Sequence, residues 1–465
     1  SVATGDDSPV RVPSRHRPRA AAALAVALGV LVTGCAQVVP GRASAAGQQS
    51  TAGAAAPSRA SGALPLSADE TAATATAALQ EIWRNDFPAA FAREWTDVAV
   101  FAPVDTADPG APAPPCVARA ADLSDQAFYC PAEDAVVWDA DGLLPDLHHR
   151  FGTAGVVVAL AHEMGHAVQT RLGLDEAQAR DPLRYPTILL ETMADCYAGA
   201  AFARLAERPV AGLTTDLDAR DDALLALVEF RDPLGIEPGN DSAHGNAFDR
   251  VSAFQDGFLD GAARCAAMST DNRVFTQRRF GSAADRARGG DLPLPELLAA
   301  VEQDAAGWFG ALAPGWRVPP IAATSCPDHE LAPQGPVRFC ESDGVVSVDP
   351  AGLTALHREV GDYAVATLVA GRYGVALQGA LGADTAGPAA GAAALCLAGA
   401  YTGVLVEPDG GFTLSPGDLD EAVQVLLTHD WAARDAEGGV DVREHGFDRV
   451  GTFRAGLLGG ADTCQ

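Results

Sequence analysis

The apolar and polar positions of the chain sort into a few legible stretches. The clearest is GVVVALAHEMGHAVQTRLG, residues 155–173, which contains no proline and closes on Gly173. Val157, Leu160, Ala161, Met164 and Val168 recur at helical spacing, so the run predicts a helix ending at the glycine. A second helical pattern spans residues 68–87, with Leu79, Ile82 and Trp83 on its apolar side. Pro88 is expected to end or kink it. The run Ala135–Trp138 predicts a small β element. Near the N-terminus Ala20–Val32 is continuously apolar but too short to span a bilayer, and no second apolar segment reads as long enough to do so. From Ala36 to Ser61 the chain is Ala, Gly, Ser and Gln with scattered proline, and it lacks the bulky side chains a core requires.

Polar residues inside the first helix carry the chemistry. His162-Glu163-Met164-Gly165-His166 reads HExxH. Residues four apart share a helix face, so His162 and His166 can present two imidazoles to one metal ion. Glu163, one position on, is angled toward a water held by that ion. Two histidines, a glutamate base and a third ligand from elsewhere make the zincin arrangement. Downstream, Glu191 and Asp195 repeat the four-residue spacing with carboxylates. Glu191 can complete a His2Glu set and leave the fourth position to water. Asp195, one turn on, can accept the free ring N–H of a liganding histidine and fix its tautomer. Each motif alone would fit a solvated helix face; together they favour a metal site.

The blocks HEMGHAVQ and ETMADCYAG, preceded by AFYCPAEDAVVWD and closed by AHGNAFDRVSAFQDGF, resemble the putative neutral zinc metallopeptidase family of gluzincin-type HExxH…ExxxD enzymes. The resemblance covers Ala127 to Cys265. It implies zinc on His162, His166 and Glu191, Glu163 as general base, Asp195 behind the ligands, and a peptide or protein substrate. Members often carry a second histidine directly after the motif, where this chain has Ala167; that position is not a ligand.

Length and charge narrow the rest. A chain of 465 residues should hold about two domains. The formal charge is −29, and all 32 basic residues are arginine. So acidic a chain is a poor partner for nucleic acid or anionic lipid. The arginine bias, with abundant Ala and Gly, suggests a high-GC bacterium. Arg11, Arg15, Arg17 and Arg19 precede the apolar run as the positive region of a signal peptide, residues 1–34. Val32-Thr33-Gly34-Cys35 resembles a lipobox, so Cys35 is expected to be lipidated and to hold an exported lipoprotein at the outer face of a membrane. The alternative is an ordinary signal peptide with Cys35 incidental. Residues 35–63 read as a flexible tether, with ordered structure from Leu64.

Setting Cys35 aside leaves eight cysteines, Cys116, Cys130, Cys196, Cys265, Cys326, Cys340, Cys396 and Cys464, enough for four disulfides in an exported chain. They form two sets of four with nearly matching gaps, and the sequence between them repeats. FYCPAEDAVVWD answers RFCESDGVVSVD, and FDRVSAFQDGFLDGAARC answers FDRVGTFRAGLLGGADTC. Residues 64–270 and 285–465 therefore read as a tandem duplication, with pairing inside each unit favoured: Cys116–Cys130, Cys196–Cys265, Cys326–Cys340 and Cys396–Cys464. Other pairings within each unit stay open.

The second copy serves as an internal control. Leu147–Gly173 matches Leu356–Gly382 without a gap, yet His162, Glu163 and His166 fall on Gly371, Arg372 and Val375. Registered on Cys196 and Cys396, Glu191 and Asp195 fall on Gly391 and Leu395. Gly165 and Gln169 persist as Gly374 and Gln378. Residues kept in both copies are best explained by fold, and those lost together by chemistry. On that logic His244, matched by dipeptide to His445-Gly446, reads as structural, as does His148 opposite His357. Tyr197, opposite Leu397, stays a weak candidate for transition-state stabilisation.

The expectation is a mainly α (α+β) zincin-like unit with one Zn2+ and a degenerate second copy without metal. Its activity would be peptide hydrolysis by a zinc-activated water, with Glu163 as base. The alternatives are a non-catalytic scaffold lipoprotein with a structural zinc, or a zinc amidase acting on a cell-wall substrate.

Overall fold

The first helix, α1 (Ala68–Phe91), starts on a reciprocal cap: Ser67 Oγ accepts the Glu70 N–H and the Glu70 carboxylate accepts the Ser67 N–H. Leu79 and Trp83 are buried on its inner face, and Ile82 partly so. The helix does not end at Pro88 as expected. The proline lies one turn from the C-terminus and forfeits a single helical hydrogen bond. Phe87, fully buried, packs at 4.9 Å on Phe91 and holds that turn to the core. Ala92, in the left-handed conformation, closes the helix on the Pro88 carbonyl. This computed structural model describes residues 66–326, 335–406 and 412–464. The signal peptide 1–34, Cys35, the tether 35–63 and Leu64 lie outside the described residues.

Three short strands follow: β1 (Val100–Val104), β2 (Ala127–Cys130) and β3 (Ala135–Asp139). Only β3 was legible as a run. It is central, parallel to β1 and antiparallel to β2, and all five of its residues are buried. Asp139 at its end is fully buried and accepts the N–H groups of Asp125, Asp141, Gly142 and Leu143. That cap turns the strand directly into α2 (Leu143–Leu172). Gly152, at φ 59°, breaks α2 into two segments, and Gly173, at φ 82°, ends it. Then come α3 (Leu174–Arg180), α4 (Thr187–Glu207), α5 (Leu217–Glu229), α6 (Ala247–Asp260) and α7 (Ala262–Ala266).

Two glycines set how these helices stack. A Cβ on Gly165 would sit 2.8 Å from the Ala194 carbonyl oxygen, and one on Gly257 would sit 1.7 Å from that of Cys196. Only a residue without a side chain lets α2 and α6 lie this close to α4, which is packed between them.

The second half repeats the order. After α8 (Ala283–Arg288) and α9 (Leu294–Leu312) come β4 (Ile321–Ala322), β5 (Val337–Cys340) and β6 (Val345–Val348), again with the last strand central, one neighbour parallel and one antiparallel. Next are α10 (Pro350–Glu359), α11 (Asp362–Ala380), α12 (Pro388–Val406), α13 (Asp418–Thr428) and α14 (Gly446–Gly459). Gly361, at φ 139°, separates α10 from α11 where Gly152 breaks α2. The glycine contacts recur at Gly374 on Ala394 (2.7 Å) and Gly456 on Cys396 (1.9 Å). Disulfides join Cys116–Cys130, Cys196–Cys265, Cys326–Cys340 and Cys396–Cys464.

One expectation is corrected here. Helix α12 is, by length and composition, apolar enough to cross a membrane, with mean hydropathy 1.8 over its most apolar stretch. Alanine and glycine kept that stretch from standing out in the sequence; 67% of it is buried, as suits a core helix. Residues 270–285 are tied into both halves by hydrogen bonds. Thr276 donates to Asp249, Gln277 to Asp232, and Arg278 to the Leu414 carbonyl. One hydrophobic core runs from Ala72 to Cys464 through both halves.

Because the Gly257 contact is with backbone, which cannot swing aside, Gly257→Ala should destabilise the fold by about 3 kcal/mol, the upper end for overpacking. Leu259→Ala, on an exposed side chain two residues away, should stay within about 0.5 kcal/mol. Chemical denaturation of both variants checks this.

Candidate metal centre

Helix α2 carries His162, Glu163 and His166, and α4 carries Glu191 and Asp195. The Gly165–Ala194 contact lays the two helices so close that their polar residues meet inside the protein. His162 Nε2 lies 3.2 Å from His166 Nε2 and 3.1 Å from Glu191 Oε2, and His166 Nε2 lies 3.5 Å from that same oxygen. Ligand atoms about 2.0–2.1 Å from a tetrahedral zinc are about 3.3 Å apart, so these three donors stand where three corners of a zinc site should be. Glu163 is 8% exposed, and its charge acts on both imidazoles. The His166 side chain keeps 21% of its surface, which marks the side open to solvent.

The other ring nitrogens are also engaged. His162 Nδ1 is 2.7 Å from Asp195 Oδ1, and His166 Nδ1 is 3.0 Å from Gln169 Oε1. Each Nδ1–H therefore donates to an oxygen and leaves the Nε2 lone pair facing the centre. Asp195 is fully buried and is itself held by Arg250 of α6, whose guanidinium donates to Oδ1 at 2.9 Å. Gln169 in turn donates to the Leu190 carbonyl and so bridges α2 to α4.

The electrostatics suit a cation. Burial alone would depress the His162 imidazole, but the Asp195 carboxylate and then Glu191 outweigh it and raise its pKa to about 10. His166 is raised in the same way by Glu191 against its own burial. Burial pushes Glu191 up, yet His166, His244 and His162 together hold it well below the usual carboxylate range. The pocket thus binds positive charge, as protons or as a metal.

Residues 20–268 match the model of the family described as putative neutral zinc metallopeptidase. The chain belongs to that family. Membership makes it a zinc-type peptidase in broad class, and the buried donor set is chemically suited to that metal. No curated protein and no solved structure matches the chain.

The family's chemistry draws attention to a residue read above as structural. His244 Nε2 lies 3.9 Å from Glu191 Oε1, and the residue is buried. Its Nδ1 is 3.3 Å from Asp232 Oδ1, while Asp232 Oδ2 accepts the N–H groups of His244 and Gly245. Matching His244 to His445 by their His-Gly dipeptides was a register error. Aligning Phe248-Asp249-Arg250 with Phe447-Asp448-Arg449 sets His445 opposite Asn246, and those two residues are the N-caps of α14 and α6. His244 then falls opposite Arg443, an exposed residue paired with Asp441. In this register His244, like His162, His166 and Glu191, has no like residue opposite it in the second half. Tyr197, by contrast, packs against Trp83 at 5.7 Å in the core.

The corresponding space in the second half is filled. A Cβ on Gly391, opposite Glu191, would lie 2.0 Å from the Ala433 carbonyl oxygen. The buried Arg372, opposite Glu163, donates to the carbonyls of Trp431, Ala432 and Asp435. Val375 and Leu395 are fully buried apolar residues.

Metal analysis of the purified protein should find about one zinc per chain, reduced or lost in His166→Ala and Glu191→Ala. Asp195→Asn, which removes the charge behind His162, should weaken zinc binding roughly 10- to 100-fold in a chelator competition.

Proposed function

We propose that the chain is an exported zinc endopeptidase tethered to the outer face of a membrane through lipidated Cys35, with residues 64–270 as its catalytic unit. The observation that carries the activity is the donor set. Among the described residues, His162, His166 and Glu191 cluster without a fourth protein ligand at that centre, and an open fourth position distinguishes a catalytic zinc from a structural one. Zinc bound there would polarise the scissile carbonyl and make water acidic enough to attack near neutral pH. Glu163 takes a proton from the attacking water and delivers it to the leaving amine. His244, fixed by Asp232 across from Glu191, donates a hydrogen bond to the oxygen that gains charge during attack. Export is supported by the leader and by four disulfides.

Residues 285–465 are, in this reading, a duplicated unit whose metal site has been closed over and whose remaining work is mechanical. Asp420 of α13 accepts the Ala247 N–H at the start of α6, and Gln255 of α6 donates to the Phe447 carbonyl. The second half thereby fixes the helix that presents Arg250 to Asp195.

Glu163→Gln should retain zinc and lose peptide hydrolysis by about 10²-fold or more. His244→Ala should lower kcat by about 10²-fold with KM and zinc content little changed. Both are measured with a peptide pool and, in parallel, with cell-wall fragments. Cleavage of the fragments alone would make the protein an amidase, and cleavage of neither by the zinc-loaded protein would make it a scaffold.

A further inference from the structure

Among the described residues, a second group of acidic side chains converges inside the protein away from the zinc centre. Asp291 precedes α9, Asp362 opens α11, and Asp418 and Glu421 lie in the first turn of α13. Oxygen atoms of Asp291, Asp362 and Glu421 all lie within 4.8 Å of one another. Asp362, Asp418 and Glu421 are 2%, 3% and 9% exposed.

Each of these buried carboxylates uses one oxygen on the backbone. Asp362 Oδ2 accepts the Leu292 N–H, Asp418 Oδ2 that of Ser415, and Glu421 Oε2 that of Tyr363. The second oxygens of Asp362 and Asp418 are buried with no hydrogen-bond partner. A buried carboxylate oxygen without a donor is costly unless a cation meets it. The charges acting on the four groups are one another's, with those of Asp285 and His357. Burial first, then mutual repulsion, push Asp362 up to about 6 and Asp418 and Glu421 well above the ordinary carboxylate range.

Among the described residues the first half has no such cluster. In the ungapped register Asp362 falls on Thr153, and aligning Asp418-Leu419-Asp420 with Asp216-Leu217-Asp218 sets Glu421 on Ala219. Asp216 caps its helix through the Ala219 N–H, whereas Asp418 accepts from Ser415 behind it and leaves Oδ1 free. The acidic residues are therefore not a requirement of the shared fold.

We propose that Asp291, Asp362 and Glu421 form a binding site for a divalent cation of the calcium class, with the buried Asp418 in the same turn of α13 as Glu421. Calcium takes oxygen ligands at about 2.3–2.6 Å, so oxygens on opposite sides of it are up to about 5 Å apart, a span that accommodates the observed spacing. The smaller magnesium ion holds ligands at about 2.0–2.1 Å and demands a tighter octahedron. A bound ion would clamp the segment before α9 to the N-termini of α11 and α13, and α13 is the helix that holds α6 through Asp420.

The test is a calcium titration of the full protein, stripped with chelator and reloaded with one zinc per chain. It is read by calorimetry and by thermal unfolding, beside Asp362→Asn and the partly exposed Asp291→Asn. The expected result is one saturable calcium per chain with a rise in Tm, a weaker response to magnesium, and at least tenfold weaker calcium binding in both variants with zinc content unchanged. Absence of saturable calcium binding in the folded parent overturns the proposal, as does equal affinity in parent and variants. If Asp362→Asn does not fold, Asp291→Asn, at the solvent edge of the cluster, decides. Variants that raise Tm equally with and without calcium would show that the cluster shares protons instead, which also overturns it.

Discussion

The backbone contact between Gly165 and Ala194 governs most of what surrounds it. Helices with ordinary side chains at their crossing sit about 8–10 Å apart. At that spacing, carboxylates on α4 would reach the α2 imidazoles only across a gap that water would fill. Removing one Cβ brings the helices close enough for Glu191 and Asp195 to contact His162 directly, one on each ring nitrogen. The desolvation that follows is severe, and it is offset by pairing: Glu191 and Asp195 each lie against a His162 ring nitrogen, and Asp195 also accepts from Arg250. Arg250 is part of that balance, since Asp195 is fully buried and would otherwise repel Glu191 across His162.

How much of this was legible in the sequence follows from which interactions are local. HExxH and ExxxD are patterns within a single helix, so their helical phase could be read directly. The helix end at Gly173 and the core strand at Ala135 could be read as well. Asp232, Gln169 and Arg250 were not placed, because their partners lie on other elements and nothing in their own neighbourhood announces them. Gln169 was visible only as a residue shared with Gln378. The structure explains both: Gln378 donates to the Ala390 carbonyl as Gln169 does to that of Leu190, and only Gln169 has a histidine to hold as well. His244 was legible as a residue but its counterpart was not, because a two-residue match competes with the longer Phe-Asp-Arg-Val register that runs unbroken through α6 and α14.

The arginines of that motif show how a shared fold can serve different ends. Arg250 and Arg449 occupy the same position and both have backbone carbonyls to bond. In the first half one arm of the guanidinium is spent on Asp195. In the second, Leu395 replaces that aspartate, and Arg449 turns to the carbonyls of Leu426, Leu427 and Glu444. Without an acid at that position the arginine still anchors its helix to neighbouring backbone.

The second half has none of the donor residues at the corresponding positions yet is not an independent appendage, and the polar contacts across the junction explain why. Asp221 accepts the N–H groups of Gly446 and Phe447 at the start of α14, as Asp420 accepts that of Ala247 at the start of α6. Each half thus supplies a carboxylate to a helix N-terminus of the other, where the helix dipole favours negative charge. Arg220 adds a reach across to Asp448, stacked over the Phe447 ring. Asp420, Arg220, Ala247 and Phe447 are buried in the pair, so separating the halves would expose or orphan polar atoms on both sides. That reciprocity is a physical reason for the chain to keep the second half: beside its own Asn246 cap, α6 receives Asp420 from outside its half, and the side chain it positions is the one that neutralises Asp195.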